Sequence, residues 1–379
     1  MYSTTQTFQI IQGNCIEEIK NLPQVHCVIT SPPYWKKRVY GDSDGEIGQE
    51  NDVVNYISIL VDIFNSINLH PLGSVWVNIG DKRLLNGSLA EIPSRFCKMM
   101  MDNGWLLADS VIWAKIIDND DGTTEGGCMT EPCNARLNGN GWEQVYRFVK
   151  TKKVGDSWAD PCAVSIDRQG VPTKRYLPET LMKTGTSLNG RNLHNVWRIN
   201  MGQTSKSHYA VYPPELVERP VAFTAPILVN ADGSLPFRIV EKTEYDEQRG
   251  SKRVFGKYSD AEKTTNGKQM RNDDGAGYVP RYPKTVGWTE IVDAKPGIVL
   301  DPFNGTGTTG EVALKLGRSF IGIDLYETNC NIARERCEKA CELARKYNPI
   351  EHILTVEDEN AITPEMNSFP GLPAKLFGK

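Results

Sequence analysis

Ser31, Pro32, Pro33 and Tyr34 stand at the end of an apolar run, in ITSPPYW at residues 29–35. Proline lacks a backbone N–H and fixes φ near about −65°, so this pair cannot continue a sheet ladder, and it drives Ser31 towards an extended conformation. A strand must end there in a rigid exit. Such an exit holds a hydroxyl, backbone carbonyls and two successive aromatic rings in fixed places.

A second constellation lies in VLDPFNGTGTTGEVALKLG, residues 299–317. Asp301 closes a strand, Pro302, Phe303, Asn304, Gly305 and Gly307 make the turn, and a helix is expected from near Thr308. Backbone N–H groups and the helix N-terminus then face whatever occupies the turn. A phosphate-binding loop would carry Lys-Ser/Thr where this chain has Glu311-Val312, and the turn is not a GxGxxG dinucleotide fingerprint. An adenosine-type ligand with a cationic end suits Asp301 better. Asp324 ends the next strand, FIGIDL, about twenty residues on, where an acid can accept from ribose hydroxyls. Either segment alone reads equally as an ordinary tight turn; turn, helix and acidic strand tip together favour a nucleotide site.

These groups need a scaffold that brings distant strand ends together. Strand patterns in TFQIIQG, VHCVIT, GSVWVNIG, LLADSVIWAK, EQVYRFVK, GIVLDPF and SFIGIDL alternate with helical spacing in CIEEIKNL, VVNYISILVDIFNSI, EIPSRFCKMMMDNG, TTGEVALKLG and TNCNIARERCEKACELARKY. That alternation predicts an α/β fold with a doubly wound, mostly parallel sheet of about seven strands. Ligands bind such sheets at the switch point, so the strand ending at Thr30 should lie beside and parallel to the strand ending at Asp301.

With 379 residues, 39% of them hydrophobic and 24% charged, the chain can build one large core with insertions. It has neither an apolar run of membrane-span length nor the features of a secretion signal, so a cytoplasmic protein without membrane contact is expected. Nine cysteines without a CxxC pair, and histidines without metal spacing, predict neither a disulfide framework nor a metal site. A net charge of −4 excludes a chain coated with basic residues for nucleic acid, though local basic clusters remain.

DPFNGTGTTG with GIDL resembles the S-adenosylmethionine site, and TSPPYW the catalytic motif, of amino-group DNA methyltransferases; the motif order resembles their permuted β group. The likeness extends through IIQGNCIEEIKNLP, GSVWVNIGD, DNGWLLADSVIWAK, WEQVYRFVKTKK and SHYAVYPPELVERP, about two-thirds of the chain. It implies a circularly permuted methyltransferase sheet, S-adenosylmethionine as cofactor and a flipped base of double-stranded DNA as substrate. Ser31 and the Pro32 carbonyl would accept from the target amine, Pro33 would hold the loop, and Tyr34 would stack on the base. Serine in this motif is more typical of cytosine N4 enzymes; adenine N6 is the alternative. Asn14 stands where the family often has aspartate near the adenine. His208 and Tyr212 belong to a segment resembling the one that closes over the methionine end, or simply enter a helix. Asn78 and Asp81 line the base pocket or cap a turn. A non-catalytic nucleic-acid-binding protein of the same fold, or an RNA methyltransferase, is a lesser alternative.

The implied organisation is a catalytic half over residues 1–150, a target-recognition region over 151–205 and a cofactor-closing segment over 206–226. A polar insertion follows over 227–290, a cofactor-binding half over 291–350 and a tail over 351–379. Lys36, Lys37 and Arg38 are candidates to hold phosphates beside the flipped nucleotide, and Lys150, Lys152 and Lys153 to lead into the recognition region, which also carries Arg168, Lys174 and Arg175. A companion restriction endonuclease is the protein partner the resemblance suggests.

Overall fold

The computed structural model describes residues 2–37, 46–118, 124–126, 141–164, 193–200, 212–240 and 285–354. In chain order these form β1 (Phe8–Gln12), α1 (Cys15–Glu18), β2 (Val25–Thr30), α2 (Val53–Ser66), β3 (Leu69–Ile79), α3 (Ile92–Asp102) and β4 (Leu106–Asp118). There follow β5 (Thr124–Gly126), β6 (Trp142–Val149), β7 (Val196–Asn200), α4 (Pro214–Thr224), β8 (Leu228–Val229), β9 (Arg238–Val240) and β10 (Thr285–Trp288). The last are β11 (Lys295–Pro296), β12 (Ile298–Asp301), α5 (Thr308–Lys315), β13 (Ser319–Asp324), α6 (Glu327–Tyr347) and α7 (Pro349–Leu354).

All six residues of β2 are buried, which a strand reaches only when both sheet faces are covered. One face carries α1, α2 and α3 over Val28, Val75, Val77, Leu300, Ile321 and Ile323. The other carries α4, α5 and α6 over Cys27, Ile29, Trp76, Val299 and Phe320. In α2 the buried Tyr56, Ile57, Leu60, Val61 and Phe64 form one apolar stripe, and Asp52 caps the helix by accepting from Val54 N and Asn55 N.

The strand order is β1-β13-β12-β2-β3-β6-β4, with β7 on the outer edge of β4 and β5 pairing the last residues of β4 on the edge that β6 occupies. The pairings from β1 to β3 are parallel, while β6 runs antiparallel to both of its neighbours. The seven expected strands are therefore present, and two short ones extend them to nine. The sequence hid β7 because VWRIN sits in an otherwise irregular, polar region; its pairing with β4 and the burial of Trp197 and Ile199 in the core hold it in place.

The expected neighbourhood of β2 and β12 is observed: they pair in parallel, with Cys27 opposite Val299 and Val28 opposite Leu300. His26 Nδ1 accepts from Ile298 N at 3.0 Å, tying the same two strands. At the far end of the sheet, β8 pairs with β11 and β9 with β10. Trp158, Leu235 and Phe237 pack there, Arg238 forms a buried ion pair with Asp160 at 2.7 Å, and Trp158 N donates to Leu72 O. The edges of the expected polar insertion are thus packed strands, because Ile227, Leu228, Leu235 and Phe237 are apolar enough to bury. Residues 241–284, with Lys252, Arg253, Lys268 and Arg271, lie outside the described residues, as do residues 355–379 of the tail.

Candidate active site

Four adjacent strands each deliver polar groups to one end of the sheet. β2 leads into Ser31 and Tyr34, β3 supplies Asn78, β6 supplies Glu143 and β4 supplies Lys115; the register pairs Thr30 with Val77, Ile79 with Gln144, and Trp113 with Glu143. Tyr34 Oη donates to Glu143 Oε2 at 2.5 Å, and Asn78 Nδ2 donates to the same oxygen at 2.8 Å and to Tyr34 Oη at 3.0 Å. Ser31 Oγ lies 3.4 Å from Tyr34 Oη and 3.4 Å from Asn78 Nδ2. Lys115 Nζ reaches the other Glu143 oxygen at 2.6 Å.

Burial works to raise the Glu143 carboxyl, but the Lys115 charge and the bonds from Lys115, Tyr34 and Asn78 outweigh it and hold the group below the usual carboxylate range. Burial and then the Glu143 charge push the Tyr34 phenol well above its ordinary value. The pair is therefore a neutral phenol donating to a carboxylate. Behind the exit, Tyr56 Oη donates to Pro33 O at 2.8 Å and the buried Trp35 donates through Nε1 to Glu50 O at 2.7 Å. Trp35 packs beneath the loop. A Cβ on Gly80 would fall 2.7 Å from Tyr34 Cε2, so glycine is what lets the ring lie against β3.

The second constellation adjoins the first. Asp301, fully buried, accepts from Thr30 Oγ1 at 2.6 Å, Phe303 N at 3.0 Å, Tyr212 Oη at 3.0 Å and Thr309 Oγ1 at 2.5 Å. Burial raises its pKa despite those bonds. One carboxylate thus joins the residue before Ser31, the cofactor-type turn, the first turn of α5 and the entry to α4. Pro302 is buried and Phe303 packs against the core. Gly305 and Gly307 have φ of 52° and 87°, the left-handed region that favours glycine. Arg336 of α6 holds the turn by donating to Thr306 O at 2.9 Å while pairing with Glu311 at 2.7 Å.

Asp324 accepts from Gly305 N, Tyr326 N and Asn329 Nδ2 at 2.9, 2.9 and 3.0 Å, and burial raises its carboxyl. Asn14 caps α1 by accepting from Ile16 N at 3.0 Å, and Gly13 N beside it donates to Asp324 O. The turn fits an adenosine-type ligand on two observations. Asn304 Oδ1 is buried there without a hydrogen-bond partner, and the Cβ direction of Gly305 meets nothing within 4 Å.

Of the sequence candidates, Ser31, Pro32, Pro33, Tyr34, Asp301, the turn to Gly307, Asp324, Asn14 and Tyr212 converge at this end of the sheet. The two roles considered for Asn78 and Asp81 divide between them: Asn78 joins the cluster, while Asp81 caps α3, its Oδ1 accepting from Ile92 N. Lys37 Nζ lies 5.1 Å from the Tyr34 ring centroid, and Lys36 packs near Trp35. Arg38, His208, Arg168, Lys174 and Arg175 lie outside the described residues. Lys150, Lys152 and Lys153 follow the opposite end of β6. Because β6 runs antiparallel to β3, Gln144 is at the end that carries Ser31 and Lys150 follows the other end, about 20 Å away for six residues of strand. Lys150 instead contacts Asn65 and the Trp105 ring. A cavity of about 620 Å³ at that far end, lined by His70, Asn230, Asp232 and Glu290 among others, shares no residue with the site.

Glu143, Lys115, Thr30 and Thr309 escape the sequence reading. A weak signal was there for Glu143, an acid in a strand whose next six residues are all buried. Its partner Lys115 ends an apolar run and looks like a solvated strand end until the register aligns the two.

The DNA methylase model for N6 and N4 enzymes matches residues 25–226 and 290–335, which include both constellations. The chain belongs to the N6/N4 DNA methylase family. Relatives of this methylase include the type II methyltransferase M.SmaI of Serratia marcescens, 25% identical over 366 residues that cover 88% of this chain and 92% of that protein. M.Cfr9I of Citrobacter freundii is 22% identical over 87% of each chain. Among solved structures, the PvuII DNA methyltransferase, titled cytosine-N4-specific, is 17% identical with a TM-score of 0.49 and covers 92% of this chain and 94% of its own. M1.HpyAVI, solved as a complex with SAM, is 16% identical with a TM-score of 0.43 over 87% of this chain and all of its own.

Proposed function

We propose that this DNA methylase moves a methyl group from S-adenosylmethionine to the exocyclic amino group of a base extruded from duplex DNA, and that the product is N4-methylcytosine. The observation that carries the reading is the Ser31 hydroxyl, one residue beyond the Thr30–Asp301 bond and inside the Tyr34–Asn78–Glu143 cluster. Asp324, Asn14, Tyr212, the turn from Asp301 to Gly307 and, by resemblance, His208 would hold the cofactor. When bound, it supplies a methyl group already activated on a sulfonium.

The residues of the chain then have to make a poor nucleophile attack. The lone pair of a base amine is delocalised into the ring, and it becomes available only when both N–H bonds are held. Ser31 Oγ and the Pro32 carbonyl accept them, and the two prolines keep these acceptors from relaxing as positive charge develops on nitrogen. Ser31 donates its own proton to Tyr34, which donates to Glu143, so a serine lone pair is left for the substrate. The Tyr34 ring provides the stacking surface that offsets part of the unstacking cost. Lys37, which covers that ring, is the side chain that must swing aside, and a DNA phosphate is the anion it would move to.

Serine, in place of the aspartate or asparagine of most adenine enzymes, favours cytosine; adenine N6 is the second reading. Methylation of mixed-sequence DNA with labelled cofactor, followed by nucleoside mass analysis, separates the two. Label in N6-methyladenine alone refutes the cytosine assignment, and no label in DNA refutes the activity. A companion restriction endonuclease belongs to the same proposal, supported by the type II names of the relatives.

A further inference from the structure

Leu85 is fully exposed, at 110% of its reference surface, and Leu84 and Leu89 beside it are exposed as well. They sit on a small hairpin, residues 82–90, that leaves the catalytic end of β3. Leu84 N donates to Ser88 O at 2.8 Å, Gly87 N to Leu84 O at 2.9 Å and Ala90 N to Lys82 O at 2.8 Å. Asn86 Oδ1 accepts from Ser88 N and Ser88 Oγ, Arg83 Nη1 donates to Gly87 O at 3.0 Å, and Gly87 has φ of 85°. The turn is thus held by its own hydrogen bonds, and its apex is a large apolar side chain.

The base of the hairpin is tied to the catalytic loop: Lys82 Nζ donates to the carbonyl of Lys36, two residues beyond Tyr34. Asp81 fixes the other side by accepting from Lys82 N, Glu91 N and Ile92 N. Lys36, Lys37 and Lys82 therefore lie about the exit that carries Ser31 and Tyr34, beside the carboxylates of Asp81 and Glu50, and supply cations for DNA phosphates.

We infer that Leu85 is a wedge that enters the base stack of the DNA beside the extruded nucleotide. The inference rests on the base-flipping reading above. Extrusion leaves two faces of the stack without a partner, and an apolar side chain on a rigid support restores part of that contact. Charge complementarity with Lys36, Lys37 and Lys82 brings the duplex to the hairpin, and the bond from Lys82 to Lys36 ties the hairpin's base to the loop that carries Tyr34.

The test compares wild type with Leu85→Ala on two duplexes carrying the site mapped by sequencing methylated plasmid DNA. One is fully paired; in the other the target base faces an abasic site, so it is already unpaired. Because Leu85 touches solvent, the variant should keep the wild-type melting temperature and cofactor affinity. On the paired duplex its single-turnover methylation should fall roughly tenfold, and on the abasic duplex less than about twofold. Equal rates for variant and wild type on the paired duplex, or an equal loss on both duplexes, overturn the wedge while leaving the methyltransferase reading intact. A wild-type protein that methylates neither duplex overturns that reading, and the wedge with it.

Discussion

Glu143→Gln is the substitution that asks most of the Ser31–Tyr34–Asn78–Glu143 cluster. The carboxylate accepts from Tyr34 at 2.5 Å and Asn78 at 2.8 Å and pairs with Lys115 at 2.6 Å, where the Lys115 and Glu143 side chains are only 12% and 10% exposed. A bond to a charged acceptor contributes about 1.5–3 kcal/mol and one between neutral groups about 1, so the two bonds together lose on the order of 2 kcal/mol. Stranding the buried Lys115 cation costs about 3–5 kcal/mol more in folding stability. The effects separate in Glu143→Gln/Lys115→Met, which removes both charges. Urea unfolding should show the single variant strongly destabilised and the double variant back within about 2 kcal/mol of wild type. Single-turnover methylation should be slowed about 30-fold in both, as expected for about 2 kcal/mol of lost positioning. If the double variant recovers wild-type rate along with stability, Glu143 only neutralises Lys115 and does not position Tyr34.

Asp324→Ala should weaken S-adenosylmethionine binding about tenfold or more by removing a charged acceptor for ribose hydroxyls, and unchanged affinity by calorimetry would falsify that role. Asp301→Asn places an amide donor among the hydroxyls of Thr30, Tyr212 and Thr309, and should lower unfolding stability by about 2–4 kcal/mol; a loss under about 0.5 kcal/mol in urea titration contradicts its place as a buried hub. Burial, and then the neighbouring His70, lower the His26 pKa to about 4 from 6.5, so the folded state binds fewer protons than the unfolded chain between those values. Stability is then lost as pH falls through that window, by up to about 3 kcal/mol from this residue, and His26→Gln should flatten the slope; a wild-type slope in the variant counts against it.

Local chemistry made the fold legible. β2 was readable because VHCVIT is apolar and ends at a proline pair, and α5 because a glycine turn precedes helical spacing. β7 and the edge strands β8 to β11 were not, because short strands gain their stability from a partner that the sequence does not name. The same division holds at the site. Ser31, Tyr34, Asp301 and Asp324 sit in motifs whose neighbours constrain the backbone, so their positions could be read. Glu143 and Lys115 have no such context and are joined only by the antiparallel register of β4 and β6. Which end of β6 Lys150, Lys152 and Lys153 follow was not readable either, since a charge cluster carries no record of strand direction.

The order of the motifs along the chain gives Asp301 a role beyond the turn it opens. Residues 30 and 301 meet only because β2 and β12 pair, a contact spanning most of the chain. Thr30 fixes one oxygen of Asp301, while Tyr212 and Thr309 share the other. The exit that carries Ser31 therefore starts one peptide from a group that also anchors the cofactor-type turn. A ligand that settles against Phe303 to Gly307 acts on the same carboxylate that locates Ser31. The two halves of the site have no independent footing: a change that shifts Asp301 must alter both the turn and the serine acceptor.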